Sequence, residues 1–320
     1  MFRSQRIARL LLEKEEVNDR LLASDRSQWY SIDKTTLTSY MLKKFHQFSM
    51  DKDVETFLNS SLETSNSLCL QVYYTFLTSL LSVVLTKTSI NGVLGRGGMH
   101  LFSFSQLQEI LDVSAEWISC DKRLLDLGAG DGQITAIMAQ LYRIVSVTEA
   151  SKIMEWRLKQ RGFRVVRMDI CQQSGTYHLV SALNLLDRHY NPSLLLTQLH
   201  TITLRSESLL LLAVVLPLHQ YVEFHPTSRT NRPDVKISIK GRTFEEQANS
   251  LVADVLEPAG FELLKWSKLP YLSEGDFKRP FYHLDDAIFL LKPINISAAG
   301  NNFSDNLSNN SVPNRDFISL

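Results

Sequence analysis

Cysteine is scarce in this chain. Cys69, Cys120 and Cys171 are the only three, they stand far apart, and none belongs to a Cys-x-x-Cys pair. Neither a disulfide framework nor a metal site is therefore expected, and the thiols read as incidental or buried groups in a reducing compartment. Net charge is also missing, because Lys plus Arg and Asp plus Glu both number 34. That balance argues against nucleic acid as a partner, since general affinity for a phosphate backbone needs clustered cations; a local basic patch stays open. No secretion signal is expected either: the apolar run from Ile7 to Leu12 is short and is interrupted by Arg9. The expected location is intracellular and cytoplasmic, with the endoplasmic reticulum or a mitochondrion as alternatives, and the expected state is a monomer.

What is present suffices for a full core, with 44% hydrophobic and 21% charged residues. The 320 residues allow one large α/β domain with an added segment, or two small ones. Residues 1–115 read as a helical N-terminal extension, with helices expected over Leu10 to Leu22, Thr35 to Phe48 and, as one or two pieces, Val54 to Leu85. The stretch from Thr64 to Thr86 carries no charge and approaches the length of a membrane span. Its polar residues Gln71, Thr75, Thr78, Ser79 and Ser82 favour a buried amphipathic helix, and membrane contact remains an open alternative. Residues 294–320 are rich in Asn and Ser and are expected to be a disordered tail. The Asn-x-Ser triplets at Asn295, Asn302, Asn306 and Asn309 follow from that composition.

Residues 116–293 alternate strand-like runs with helical patterns. Arg123 to Leu127 is the first strand, followed by Ile144 to Thr148, Phe163 to Met168, His178 to Leu183, Leu209 to Leu216, Phe261 to Trp266 and Ala287 to Leu291. Helices are expected at Gln133 to Leu141, Lys152 to Arg161, Pro192 to Thr203 and Phe244 to Leu256. This alternation predicts a seven-stranded Rossmann-like sheet, with parallel strands and helices on both faces. Ligands in such sheets sit at the carboxyl ends of the strands, where Glu149, Asp169, Asn184 and Asp187 fall.

The segment Asp126-Leu127-Gly128-Ala129-Gly130-Asp131-Gly132 lies just after the first strand. Glycines there allow a tight turn and close approach of backbone to ligand. Their spacing is not the Gly-x-Gly-x-x-Gly of a pyrophosphate site. An acid before the loop suits S-adenosylmethionine, which carries an ammonium and a sulfonium and no phosphate. Glu149, ending the second strand, can accept both ribose hydroxyls. A plain turn with Asp131 capping the next helix is the competing reading.

Several segments resemble the DREV family, methyltransferase-like enzymes that modify the pros nitrogen of protein histidines. They are Thr88 to Met99, Leu125 to Gly132, Thr148 to Ser151, Asn184-Leu185-Leu186-Asp187-Arg188, Leu216 to Glu223 and Leu269 to Asp276. The similarity runs from about Ser27 to Pro293. It implies S-adenosyl-L-methionine as donor and protein substrates with His-x-His motifs as acceptors. It also implies Asp126, Gly128, Gly130, Glu149, Asn184 and Tyr271 at the cofactor, and Asp187 and Tyr282 at the acceptor imidazole. The Asn- or Asp-Pro-Pro-aromatic motif of adenine and glutamine methyltransferases is not found. For Asp187 an ion pair with Arg188 is the competing reading, and for Tyr271 and Tyr282 core packing. His219 reads as a structural or substrate-contacting residue, because a neutral imidazole acceptor needs no strong base. A small-molecule or lipid methyltransferase with the same cofactor site is the alternative function.

Overall fold

The computed structural model describes residues 2–85, 87–114, 117, 121–166 and 176–295. Eight strands form one sheet: β1 (Met99–His100), β2 (Arg123–Leu127), β3 (Ile144–Thr148), β4 (Arg164–Val165), β5 (Leu179–Leu183), β6 (Leu209–Val215), β7 (Phe261–Glu274) and β8 (Phe281–Pro293). Their order is β1-β7-β8-β6-β5-β2-β3-β4. The central strands have apolar side chains on both faces. Leu125 and Leu127 enter one core and Leu124 the other, so β2 carries leucines on both faces around Asp126.

All seven expected strands are present, and the eighth is the short edge strand β1. The third is described only as Arg164–Val165; Arg167 to Asp169, including the expected polar residue Asp169, lie outside the described residues. Strands β2 to β6 pair in parallel, whereas β7 and β8 form an antiparallel hairpin, with β8 inserted beside β6. That hairpin is much longer than its apolar runs suggest. β7 continues through Pro270 to Glu274. Proline is tolerated because β1 pairs only with Leu272 and Ser273, leaving the flank of Pro270 away from β8 outside that ladder.

Ten α-helices complete the described chain: α1 (Phe2–Leu22), α2 (Ser39–Lys44), α3 (Lys52–Asn66), α4 (Leu68–Leu81), α5 (Lys87–Leu94), α6 (Phe104–Leu111), α7 (Gln133–Met138), α8 (Lys152–Gln160), α9 (Pro192–Ser206) and α10 (Phe244–Leu251). Local chemistry sets several ends. Asp51 accepts from Asp53 N and Val54 N to start α3, and Thr243 with Glu246 forms a capping box on α10. α2 is shorter than its sequence pattern, because Phe45 bridges to Trp266 and His46 N donates to the Trp266 carbonyl at 2.8 Å. The helical N-terminal region packs on the sheet. Trp29, Tyr30, Phe48, Val54 and Leu58 share a core with Leu124, Leu179 and Leu211.

The uncharged stretch departs from expectation. It breaks at Ser67 into α3 and α4, and α4 is not buried: Val72 is 69% exposed and Phe76 67%. Leu68, Val72, Phe76 and Leu80 recur every four residues and so form one exposed apolar stripe. Among the described residues no helix is long and apolar enough to cross a membrane.

Candidate active site

From β2 the chain runs outward to β3 and β4, then crosses back to β5 and β6. The crevice between β2 and β5 is thus the topological switch point, and the carboxyl ends of both strands open onto it. Here lies a cavity of about 240 Å³. Asp126, Gly128, Gly130, Glu149, Asn184 and Tyr271 all line it, so the six residues expected at the cofactor converge on one space.

The glycine loop is held against β3, since Gly128 N and Ala129 N both donate to the Thr148 carbonyl, at 3.0 and 3.1 Å. Gly128 (φ 72°) and Gly130 (φ 58°) sit in the left-handed region that glycine adopts without strain. A Cβ on Gly128 would stand 3.0 Å from Leu185 Cδ1. Asp131 accepts from Gln133 N at 3.0 Å, so it does serve the start of α7 while also lining the cavity.

Glu149 is fixed by backbone. Its Oε2 accepts from Gly130 N and its Oε1 from Ser151 N, each at 2.9 Å. Each oxygen keeps a further lone pair, which can take a vicinal diol. Burial pushes its carboxyl above the usual range, against the pull of those N–H groups. Asp126 is buried more deeply. Thr135 Oγ1 donates to its Oδ2 at 2.6 Å and Ser181 Oγ to its Oδ1 at 2.7 Å. Burial nevertheless lifts it to about 6. Tyr271 is pushed up to about 12, chiefly by burial, and therefore keeps its proton; its hydroxyl donates to Met99 Sδ at 2.7 Å.

Asn184 follows β5 in a left-handed conformation (φ 53°). Its Nδ2 donates to Asp286 Oδ2 at 2.6 Å, while its Oδ1 is buried without a partner. The cavity wall continues through Leu185, Arg188, His189 and Tyr190. Asp187 lies within that sequence run but outside the lining, as does Tyr282. Asp187 is buried, its Oδ1 has no partner, and its Oδ2 is 4.0 Å from Arg188 Nε. Burial raises its carboxyl above the usual range, opposed by Arg188 and His219. Tyr282 is half exposed, and its hydroxyl donates to Asp276 Oδ2 at 3.1 Å.

Sequence reading did not assign Arg96, Met99, Arg188 or Glu223 to the cavity, yet all four line it. Met99 arrives because β1 joins the end of β7. The glycines before it permit close contacts: a Cβ on Gly98 would stand 2.8 Å from Gln133 Oε1. Gly97 N and Gly98 N both donate to Glu274 Oε2, at 2.9 and 3.3 Å, which ties this segment to the β7–β8 turn.

Four carboxylates (Asp126, Asp131, Glu149, Glu223) and two guanidinium groups (Arg96, Arg188) thus surround one space. The set suits a ligand carrying a diol, cationic centres and a carboxylate, and the predominance of acids does not suit a phosphate.

Two solved structures are among those this chain matches. Magnesium protoporphyrin IX methyltransferase from Synechocystis PCC 6803, with bound SAM, is 13% identical, with 77% of this chain and 99% of that one covered and a TM-score of 0.35. A S-adenosylmethionine-dependent methyltransferase from Clostridium acetobutylicum is 11% identical, with 60% and 98% covered and a TM-score of 0.35. The sequence profile of the DREV methyltransferase family matches residues 29–293. S-adenosyl-L-methionine is accordingly the cofactor, and the acids and glycines above are the groups that fit it. With a match from Trp29 to Pro293, spanning the whole described sheet and the cavity, the chain belongs to the DREV methyltransferase family.

Proposed function

We propose that this enzyme methylates the pros nitrogen of histidine in His-x-His segments of proteins. The observation that carries the reading is the buried Asp187 carboxylate, whose Oδ1 lacks a partner and which sits one residue before the wall residue Arg188. A buried acceptor left open is costly unless a donor arrives. An imidazole N–H is such a donor. When bound, S-adenosylmethionine supplies an electrophilic methyl on its sulfonium. Near neutral pH most free histidine already has a nucleophilic lone pair, so the protein's task is to choose the tautomer. Asp187 holds the hydrogen on the tele nitrogen and leaves the pros lone pair free. Transfer would form an N–C bond at the pros nitrogen while the donor's C–S bond broke, with its electron pair staying on sulfur. The ring becomes cationic, which the Asp187 carboxylate favours, and its tele proton then passes to solvent.

The test is transfer to a His-Ala-His peptide. Fragment-level mass spectrometry locates the methyl group, and chromatography against both methylhistidine isomers identifies the nitrogen. Pros-methylhistidine is the expected product. Methyl on lysine, arginine or the tele nitrogen would overturn the proposal. Turnover of a small molecule or lipid, with the peptide untouched, would favour the alternative function instead.

The cofactor side has its own expectation. Glu149→Ala removes the carboxylate expected to accept the ribose hydroxyls. Losing such a charged contact costs roughly 1.5–3 kcal/mol, or on the order of ten- to a hundredfold in affinity. Isothermal titration with S-adenosylmethionine reads this directly, and an unchanged dissociation constant would remove Glu149 from the ribose.

A further inference from the structure

Asp286 holds the cavity residue Asn184 but has no other role in the site described above. It lies on β8, paired with Val215 on β6 and with Leu269 on β7, and is fully buried. No Lys, Arg or His forms an ion pair with it among the described residues. An acid in such a place is expensive and calls for a reason. Its side-chain Oδ2 accepts the 2.6 Å contact from Asn184 Nδ2, and Asp286 Oδ1 is without a side-chain partner. Asp286 itself does not line the cavity, whereas Asn184 does.

The consequence concerns which end of an amide faces the ligand. An asparagine amide has a donor end and an acceptor end, and free rotation about its terminal torsion would let either be offered. Burial lifts Asp286 to about 8, and whether ionised or protonated on Oδ1 its Oδ2 accepts from the NH2, so the carbonyl oxygen is the end left over. That oxygen is buried and unpartnered. We propose that Asp286 is a positioning residue for the methyl-donor site: by holding Asn184 Nδ2 it makes the Asn184 carbonyl oxygen the group offered to the ammonium of the donor's amino-acid moiety.

The experiment uses two probes that differ in that moiety. S-adenosylhomocysteine carries the ammonium and carboxylate; 5′-methylthioadenosine has the same nucleoside and lacks both. Affinities are measured by calorimetry on the full chain, with no acceptor present, so the outcome is independent of the histidine proposal. Asp286→Leu keeps the branched skeleton, with methyls in place of the oxygens, and deletes the acceptor. It should weaken S-adenosylhomocysteine by about tenfold, the worth of one charge-assisted hydrogen bond, and leave methylthioadenosine within about twofold. Asp286→Asn retains an acceptor oxygen and should recover most of the loss. Asp286→Ala is measured alongside, in case the strand cannot seat leucine. Equal losses for both probes, no loss for S-adenosylhomocysteine, or an unfolded protein in both apolar variants would overturn the proposal, and in the first and last cases would leave Asp286 a structural acid.

Discussion

Gly130→Arg is expected to abolish S-adenosylmethionine binding in a protein that still folds. A Cβ at this position would stand 3.6 Å from Met99 Cε, the nearest atom it meets, and both residues line the cavity. The longer side chain would therefore occupy the ligand's space rather than the core. It would also disturb the loop whose Gly130 N donates to Glu149 Oε2, loosening the carboxylate expected at the ribose. A residue other than glycine at φ 58° costs roughly 1–2 kcal/mol, a fraction of the roughly 5–15 kcal/mol that stabilises a typical domain. Thermal unfolding should thus stay cooperative, while calorimetry should detect no binding. Gly128→Arg should lose binding too, with a larger drop in melting temperature, because its Cβ stands 3.0 Å from Leu185. Undiminished affinity in a folded Gly130→Arg protein would move the cofactor away from this loop.

Asp187→Asn should lower turnover by roughly a hundredfold or more, by analogy with other oriented imidazoles, and leave donor affinity nearly unchanged. The substitution keeps size and shape. Its amide, however, can present N–H where the tele N–H of the acceptor needs a lone pair, and so favours the wrong tautomer. Donor binding should be spared because Asp187 stands outside the cavity lining. The split between the two measurements is the informative part. Parallel loss of donor affinity and turnover would mean that Asp187 mainly supports the wall through Arg188, 4.0 Å away. Full activity in the variant would release Asp187 from any role in orienting the acceptor.

Much of the architecture follows from the sequence alone, because its determinants are local. Predominantly apolar runs mark β2, β3, β5 and β6, with Gly128, Glu149 and Asn184 just past the first three, and the 3.6-residue pattern between them marks the crossover helices. Asp126, the two glycines and Glu149 were legible for the same reason: strand-end chemistry is written in adjacent residues. Other features depend on contacts that no short window contains. α2 stops early because Phe45 meets Trp266, more than two hundred residues away. The hairpin β7–β8 outgrows its apolar runs because each strand supplies the other's backbone partners, even across Pro270.

Position along the chain also hid part of the site. Arg96 and Met99 precede the first expected strand, and only the pairing of β1 with β7 carries Met99 to the cavity. α4 misled for a related reason. Its apolar stripe is a local property, but whether a stripe is covered depends on what the rest of the fold sets against it, and Val72 and Phe76 stay exposed. Strand–helix alternation and the acid–glycine loop at a strand end can be read locally, since both are short-range consequences of periodicity and backbone sterics. The pairing of Asn184 with Asp286, 102 residues apart, was decided only when β8 was laid antiparallel against β6 beside the end of β5. A buried hydrogen bond of that kind has no signature in composition or spacing. It exists because the folded sheet buries the two polar groups side by side.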